Sequence, residues 1–426
     1  MSKSAPNHIV LNSYARVYCK EHRYQSIIQR KVLSIMNTST HITIQEITDR
    51  EQWNAFVSQQ QYVHLMQSYE WGELNQYLKT RVYRLGALVD GQLIGVMQLH
   101  AVAIPLPVLH LNYLYCIRGP VLEGPDSPAL PALVKHAQGI ARKEHAIVLR
   151  IDPNIPDDDA RVEEWLSAFK RLGFHTNTHT GVSRRSWVLD LRPDPETLLA
   201  NFKMTWRQNV RSSQRKGVTI REATTDADFD TYYNILSVTG ERDDFFIHGK
   251  DYHKEMFTRY QKRGQAVLFL AEHDGEAIAT KMLIKMGDWC WDMFGGSTNS
   301  KRNLKATYLI QYHCFLWARE HGCSFFDFRA IPNILKPGEE MWGVYEFKKG
   351  FDGFSRLVIN TQDYIYNPIL YKAWNKLIDI RRARRQKERS QLELERVARG
   401  QNAGKAPSAE QTMPASTEKP TVETSK

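Results

Sequence analysis

The chain carries one sequence pattern twice, and this duplication limits the folds that it can adopt. Asp90-Gly91 and Asp274-Gly275 each lie between two runs of β-forming residues, which is typical of a two-residue β-hairpin. The two turns are about 180 residues apart, far beyond the roughly 20–50-residue period of solenoid repeats. We therefore predict two similar domains that face each other, with the chemistry in the cleft between them.

The order of elements after each hairpin supports this duplication. Each copy continues with an aromatic strand, a helix, a strand and a second helix that ends in a Phe-Lys pair. The predicted segments are the strands 111–116 and 289–294, the helices 130–144 and 304–320, and the strands 147–151 and 325–329. Because helical crossovers join the later strands, each copy should mix antiparallel and parallel pairing. The predicted fold class is α/β (α+β) with mixed sheets.

Composition separates the repeats from their flanks. The N-terminal extension is predicted to be disordered or not native, since translation starting at Met36 is an alternative to Met1. A basic, helix-forming segment follows the repeats, and the last residues contain almost no large apolar side chain, which predicts disorder. The predicted boundaries are 1–40 for the extension, 41–185 and 186–356 for the two domains, 368–399 for the basic helix and 400–426 for the tail.

The overall composition favours a cytoplasmic protein with a polyanionic partner. The five cysteines lack a C-x-x-C pair, which is typical of free thiols in a reducing compartment. No apolar run reaches the roughly 18 residues of a membrane span, and the basic N-terminus lacks the apolar region of a signal peptide. The net charge of +10 indicates RNA, a diphosphate-bearing substrate or an anionic membrane surface, without choosing among them.

Several common chemistries lack their motifs. The chain has no G-x-G-x-x-G after a strand, no P-loop, no H-E-x-x-H and no G-x-S-x-G. The element order resembles the N-acetyltransferase (GNAT) fold, in which a glycine-rich turn at a helix N-terminus holds the pyrophosphate of coenzyme A. That turn corresponds to 301–307, which has no glycine, and to 124–128, which has two prolines and an aspartate. We therefore disfavour acetyl-CoA as donor and expect no cofactor and no metal ion.

A set of motifs between Thr43 and Tyr366 resembles the Fem-type (FemABX) aminoacyl-tRNA-dependent peptidyltransferases. The motifs occur in family order and are Gln67-Ser68-Tyr69-Glu70-Trp71, Arg118-Gly119-Pro120-Val121, Leu149-Arg150-Ile151-Asp152-Pro153, the basic helix 203–216, Gly240-Glu241-Arg242, Phe294-Gly295-Gly296-Ser297 and Tyr345-Glu346-Phe347-Lys348-Lys349-Gly350-Phe351. Only Arg215-Lys216-Gly217 separates the basic helix from the next strand, so the chain resembles the short, arm-less members.

This resemblance implies two tandem GNAT-like domains, the first of them completed by about 357–366. It implies in particular that Leu357-Val358-Ile359-Asn360 pairs back onto the first domain. It also implies transfer of an amino acid from aminoacyl-tRNA to the stem peptide of a peptidoglycan precursor, either lipid-linked or UDP-linked. Two alternatives stay open: an N-acyltransferase with another acyl donor, and a non-catalytic RNA-binding or envelope-assembly protein. A monomer is expected.

Two residues match catalytic positions of the family. Asp152 ends a strand, where cleft residues gather in parallel sheets, and matches a proposed catalytic aspartate. Its possible roles are a general base, a group that orients the substrate ammonium, or a turn aspartate bonded to nearby backbone. Lys348 matches a functional lysine, and a cation there would stabilise the oxyanion of the tetrahedral intermediate. The alternative for Lys348 is a solvated helix face.

The remaining site residues are predicted to bind substrates. Arg207, Arg211 and Arg215 share one helical face, and with Lys349 they are predicted to bind tRNA phosphates or a substrate diphosphate rather than only to be solvated.

The predicted precursor-binding residues are Arg118, His248, Lys250 and Tyr252. Tyr252 matches a family tyrosine, whereas His248 stands where some relatives have arginine. Because imidazole is a weaker diphosphate ligand than guanidinium, Lys250 is a candidate to take over the role of that arginine. The basic stretch 381–389 is expected to attract anionic lipid at the inner membrane face, the alternative being that it only solvates the tail.

Overall fold

The computed structural model describes residues 41–105, 110–178, 183–243 and 245–403. Residues up to Tyr366 belong to one compact unit, and the chain from Asn367 onward forms a second. The predicted extension 1–40 and residues 404–426 of the predicted tail lie outside the described residues. The boundary between the two predicted domains stays a prediction, because both lie in the first unit.

The strands of the described residues form two mixed sheets. In chain order they are β1 (Thr43–Glu46), β2 (Arg81–Val89), β3 (Gln92–Ala103), β4 (Asn112–Ile117), β5 (Val121–Leu122), β6 (Ala146–Asp152), β7 (His175–Asn177), β8 (Arg185–Asp190), β9 (Thr219–Glu222), β10 (Ala266–His273), β11 (Glu276–Met286), β12 (Trp289–Ser297), β13 (Phe325–Ala330), β14 (Phe354–Leu357) and β15 (Thr361–Ile365). The first sheet has the order β1-β2-β3-β4-β6-β15-β7, with β5 beside β3, and the second has the order β9-β10-β11-β12-β13-β8-β14.

The two sheets repeat one arrangement. Both contain a parallel pair, β4 with β6 and β12 with β13, beside antiparallel hairpins. Asp90 and Gly91 have φ of 50° and 79°, and Asp274 and Gly275 have φ of 53° and 75°. Positive φ at both central residues is what a type I′ hairpin turn requires, which explains the Asp-Gly pairs. The predicted duplication and mixed α/β fold class are confirmed.

The helices before Asn367 cover the sheets and connect their parallel strands, and one further helix belongs to the second unit. They are α1 (Arg50–Ser58), α2 (Tyr69–Tyr77), α3 (Ala129–Lys143), α4 (Val162–Arg171), α5 (Pro195–Asn201), α6 (Met204–Arg215), α7 (Asp226–Asp243), α8 (Lys250–Gln261), α9 (Ala306–Glu320), α10 (Trp342–Lys349) and α11 (Pro368–Ala403), with short 3₁₀ turns at Leu65–Gln67 and Arg302–Leu304. Their sequences place apolar residues at helical spacing, as in α3, which buries Leu130, Val134 and Ala137.

The last strand returns to the first sheet, as expected, but later in the chain. β15 lies between β6 and β7 and pairs antiparallel with both. Of the expected segment Leu357 to Asn360, Leu357 pairs with Arg185 of the second sheet, whereas Val358 forms an isolated antiparallel bridge with Pro156 of the first half. Within the expected segment 357–366, the strand that returns is therefore Thr361–Ile365. Asp363 fixes it by accepting hydrogen bonds from Arg150 at 2.8 and 2.7 Å and from Asn177 at 2.7 Å.

Three buried clusters explain why the chain up to Tyr366 is one unit. One packs α3 and α4 against the first sheet, and another packs α6, α9 and α10 against the second. The third is shared, because Trp53, Leu65 and Leu74 from the first half pack with Tyr232 and Trp291 from the second. Burying apolar side chains of both halves in one cluster makes each half depend on the other for stability.

The second unit consists of α11 and the residues that follow it. The helix includes the predicted segment 368–399 and continues to Ala403, so residues 400–403 of the predicted disordered tail are helical. In the described part of the chain, no helix combines the length and apolar character needed to cross a membrane.

Candidate active site

The parallel strands of the second sheet separate. β12 pairs with β13 only from Trp289 to Trp291, although β12 continues to Ser297. A β-bulge in β12, between the partners of Met282 and Leu283, lies just beyond this point. In the first sheet, by contrast, β4 stays paired with β6 up to Ile117 and Asp152. The second sheet therefore has an opening between parallel strands where backbone groups of β12 and β13 no longer pair with each other.

Lys348 reaches this opening from α10. Its Nζ donates a hydrogen bond of 2.7 Å to the carbonyl of Ala330, at the end of β13. Burial lowers the pKa of Lys348 to about 7, an effect that Lys281 and Arg329 enhance and that Asp292 and Asp327 oppose. At neutral pH the amino group of Lys348 is thus populated in both its charged and its neutral form, and a negatively charged neighbour would favour the charged form.

An ion pair on the neighbouring strands faces Lys348. Lys281 of β11 contacts Asp292 of β12 at 2.5 Å, and both side chains are largely buried. Glycine at position 295 leaves room for the lysine, because a Cβ there would lie 2.7 Å from Lys281 Cδ. From the sequence, Asp292 is assigned no role. The pairing was not predictable, since it depends on the bulge that turns Asp292 toward β11.

Arg118 belongs to a partly buried charged cluster where the two sheets meet. We call Arg118, Arg329, Arg356, Asp327 and His64 the junction cluster. The three arginines all act electrostatically on Asp327 and all lower the pKa of His64, to which burial contributes most. Arg118 follows β4 and donates to the carbonyl of Ser183 at 2.5 Å. The first half of the chain thus contributes Arg118, after β4, and His64 to the cluster. The second half contributes Asp327 and Arg329 from β13 and Arg356 from β14.

Sequence reasoning missed the other members of this cluster. Arg329 and Arg356 lie far from Arg118 in the chain and match no motif that was singled out. Arg329 has a φ of 65°, and its Nη1 donates to the carbonyl of Met293 at 3.1 Å. Arg356 donates to both the side chain and the carbonyl of Asn154, at 3.0 and 2.7 Å, and burial lowers its pKa to about 10.

Tyr252 and His248 lie beside this cluster. The rings of His248 and Tyr252 stack at 4.1 Å, and His248 also meets the edge of Phe246 at 4.9 Å. Burial raises the pKa of Tyr252, and Arg329 opposes that rise, which places the phenol within electrostatic reach of the guanidinium. Burial lowers the pKa of His248, so the imidazole is mainly neutral near pH 7. His248 is therefore placed more as an aromatic surface than as a cation.

Asp152 is held by hydroxyl groups on both sides. Its Oδ2 accepts from Tyr115 at 2.6 Å, and its Oδ1 accepts from Thr361. Burial raises the pKa of Tyr115 well above its usual value, and Asp152 adds to that rise while Arg118 opposes it. Asp152 thus connects β4 and β15 to β6, and both Asp152 and Arg118 act electrostatically on Tyr115. This arrangement fits an orienting carboxylate better than a base with a free oxygen.

The remaining predicted residues lie at the surface. Lys250 forms an exposed ion pair of 2.6 Å with Asp230. Arg207 donates to the carbonyl of Ala200, whereas Arg211 and Arg215 are exposed and their guanidinium groups have no partner among the described residues.

Lys349 is exposed on α10 and lies over the ring of Tyr345, 5.5 Å from its centroid. The structure thus brings Lys348, Arg118 and Tyr252 into one electrostatic network through Arg329, with Asp152 beside it through Tyr115. It does not connect Lys250 or the α6 arginines to that network through any contact of the described residues.

Comparison with known proteins extends over both halves of the chain. The FemAB family matches residues 47–277 and 269–378. A lipid II:glycine glycyltransferase from Staphylococcus aureus is 24% identical over 405 residues, covering 78% of this chain and 94% of that protein. The crystal structure of FemX superposes with a TM-score of 0.72 at 23% identity, covering 78% of this chain and 99% of that one.

A protein of unknown function from Bacteroides thetaiotaomicron has a TM-score of 0.51 at 12% identity, with 76% of this chain covered. At these identities the structural likenesses establish the fold alone.

Proposed function

The chain belongs to the FemAB family, and from that premise we propose that it is an aminoacyltransferase that moves an amino acid from aminoacyl-tRNA to the stem peptide of a peptidoglycan precursor. The observation that carries the proposal is the family match across both sheets, from residue 47 to residue 378. The name of the Staphylococcus aureus relative supports a lipid-linked acceptor. A UDP-linked acceptor stays the alternative.

The reaction needs stabilisation of charge more than covalent catalysis. The acceptor amine attacks the carbonyl carbon of the aminoacyl ester, a C–N bond forms, the C–O bond to ribose breaks, and the amine proton ends on the ribose oxygen. The intermediate carries an oxyanion, and Lys348 is the cation that we assign to it, at the opening between β12 and β13. Its lowered pKa also allows it to hand a proton to the leaving oxygen.

Asp152, Arg118, Tyr252 and His248 are assigned to the acceptor. Asp152 is a carboxylate that can orient the substrate ammonium, supported by its bonds to Tyr115 and Thr361. Arg118 supplies positive charge at the sheet junction, and the stacked Tyr252 and His248 offer an aromatic surface beside it. Lys250 is the weakest of the assignments, because Asp230 already neutralises it.

The donor tRNA is assigned to the outer face of α6. Arg211 and Arg215 carry positive charge without a protein counter-ion among the described residues, and Lys349 extends the basic surface on α10. Phosphate contacts of this kind give salt-dependent, sequence-independent binding. A diphosphate of the precursor is the alternative ligand for these arginines.

The basic stretch 381–389 of α11 is assigned to contact with the anionic inner leaflet of the membrane, where the protein would be peripheral. Basic residues near such a surface contribute about 1 kcal/mol each. Sedimentation with anionic liposomes tests this: the full chain should bind and a variant lacking 376–426 should not. Equal binding by both would remove the assignment.

The function is tested by mass spectrometry of the precursor. The full chain is incubated with a mixed aminoacyl-tRNA pool and either the lipid-linked or the UDP-linked precursor, with and without RNase. The proposal expects a mass increase of one or more amino acid residues that RNase abolishes. An RNase-resistant mass increase would instead indicate an N-acyltransferase with another donor, and no increase with either precursor would favour a binding protein.

A further inference from the structure

The junction cluster holds more positive charge than its protein neighbours balance. Asp327 is the carboxylate that Arg118, Arg329 and Arg356 share. Asp292 also acts on Arg329, but it is already paired with Lys281, and Asp158, which acts on Arg356, is exposed. His64 adds no negative charge. Arg118 is buried and Arg329 and Arg356 are partly buried. Desolvating cations without matching anions is costly, so this excess of positive charge favours a bound counter-ion.

Hydrogen-bond donors of the cluster are also unused. Nε of Arg118 is buried and has no partner, and Nε and Nη2 of Arg329 have none among the described residues. His64 accepts a hydrogen bond of 3.1 Å from the backbone of Met66 at Nδ1, which leaves the proton of the neutral ring on Nε2. A planar guanidinium with two free N–H groups matches the oxygens of a carboxylate or a phosphate.

The surroundings hold these groups in place. The ring of His64 packs against Trp291 at 5.2 Å, and Arg356 lies over Trp289 at 5.5 Å while Asn154 binds its guanidinium. Asp327 Oδ1 accepts from the backbone N–H of Arg329 at 2.6 Å, which stabilises the turn that presents Arg329. Held donors bind an anion without the entropic cost of ordering flexible side chains.

We propose that the junction cluster is a binding site for a compact oxyanion of a substrate, held mainly by Arg118 and Arg329. The identity of the substrate rests on the proposed function, whereas anion binding itself does not. Arg329 is the residue on which the site depends most, because it connects the cluster electrostatically to Tyr252 and to Lys348. An anion bound there would place the substrate beside the opening in the second sheet.

Isothermal titration of the full chain with inorganic phosphate, at ionic strength matched with chloride, tests the site without turnover. We expect Arg329→Gln to weaken phosphate binding by about tenfold or more. Arg329→Lys keeps the charge but loses the planar guanidinium, so its phosphate affinity should lie between those of the wild type and Arg329→Gln. Arg192→Gln is the matched control, because Arg192 is exposed and paired with Asp190. Equal phosphate affinity in Arg329→Gln and wild type, or no binding by wild type, would overturn the proposal.

Thermal unfolding separates a binding role from a structural one. If the cluster carries excess charge, Arg329→Gln should unfold without phosphate at the same temperature as wild type or higher, and should lose the stabilisation by phosphate. A lower unfolding temperature with unchanged stabilisation by phosphate would assign Arg329 to the fold alone. If Arg329→Gln does not fold, the same pair of measurements is made on Arg118→Gln.

Kinetics with substrates identifies the source of the oxyanion. A KM raised by Arg329→Gln for the UDP-linked precursor, but not for the stem peptide without diphosphate, indicates the diphosphate, and a KM raised for both indicates a peptide carboxylate. A KM raised for aminoacyl-tRNA indicates an RNA phosphate. Unchanged KM values for all of them would contradict a substrate site. A wild-type protein that binds phosphate but transfers nothing would count against the proposed function and leave the anion site standing.

Discussion

Lys348 is a cation whose charge depends on its neighbours. Burial brings its pKa to about 7; Asp292 and Asp327 act to raise this pKa, and Lys281 and Arg329 act to lower it. A substrate that brings negative charge to the opening would raise this pKa and complete the protonation of Lys348. In the proposed reaction, the catalytic cation would thus be fully charged only once the tRNA ester and the developing oxyanion are present.

The lowered pKa predicts how Lys348 affects stability. In the unfolded chain a lysine keeps its proton up to about pH 10.4, whereas in the folded chain Lys348 loses it above about 7. Between these values the unfolded state binds more protons, so the stability of the wild type relative to Lys348→Met should rise with pH. Below pH 7 the substitution should therefore be stabilising, and above pH 10.5 the gain should vanish. Urea unfolding across pH measures this.

The neighbouring residue provides the control for this experiment. Lys349 is exposed, so Lys349→Met should change stability little and by the same amount at every pH. A stability difference between wild type and Lys348→Met that does not vary with pH would show that Lys348 keeps an ordinary pKa.

The ion pair beside Lys348 predicts opposite shifts of the pH–rate profile. Asp292 raises the pKa of Lys348 and Lys281 lowers it. Activity that needs the charged lysine falls as pH rises through that pKa, so Asp292→Asn should move the falling limb of kcat/KM to lower pH. Lys281→Met should move the same limb to higher pH. Shifts in one direction for both variants would indicate a general loss of structure instead.

Single residues could be predicted only where a motif or a spacing marked them. Lys348 follows a phenylalanine at the end of a helix that occurs in both copies of the repeat, and the structure places Lys348 at the opening of the second sheet. Arg329 could not be found in this way, because its role depends on a positive φ and on neighbours that only the folded chain brings near. The ion pair of Lys250 with Asp230 could not be predicted either, because no local pattern signals it.

At the scale of elements, one ion pair fixes the returning strand. Arg150 of β6 donates two hydrogen bonds to Asp363 of β15, and both side chains are almost fully buried. Removing one partner leaves a buried charge unpaired, so Arg150→Met should lower the free energy of unfolding by about 3–5 kcal/mol. Chemical denaturation measures this free energy of unfolding. As a control, Arg192→Met breaks an exposed ion pair and should lower the free energy of unfolding by less than about 1 kcal/mol.

A second variant checks the cause of that loss. Arg150→Met combined with Asp363→Asn removes both charges and keeps an acceptor for Asn177. The double variant should recover part of the stability lost by the single one. A double variant that is less stable by the sum of two independent losses would mean that the two side chains do not act as a pair.

Elements were predictable where the pattern was local. The Asp-Gly pairs specify their hairpins because the turn type itself needs those residues. The returning strand lies a few residues after the expected segment, because Leu357 to Asn360 is more apolar than β15 and only the pairing in the folded chain selects β15. The separation of β12 from β13 cannot be predicted from periodicity. Periodicity identifies the residues that form strands, but not the point at which two paired strands separate.

At the scale of the whole molecule, the two sheets share a strand order but not a function. The first sheet keeps its parallel pair closed and buries Asp152 between hydroxyls, whereas the second opens beside Lys348. The junction cluster combines arginines from both halves, and the shared apolar cluster holds the halves together around it. In this member of the FemAB family, duplication has thus supplied one half whose parallel pair stays closed and one half whose parallel pair opens.

The most direct test of this account is the single-turnover rate of amino acid transfer, read as the mass of the precursor. Lys348→Ala should slow the transfer step by about 100-fold or more, as the loss of an oxyanion-stabilising group does elsewhere. Lys170→Ala, which removes an exposed lysine on α4, should match the wild type. Full transfer activity in a folded Lys348→Ala variant would contradict the account.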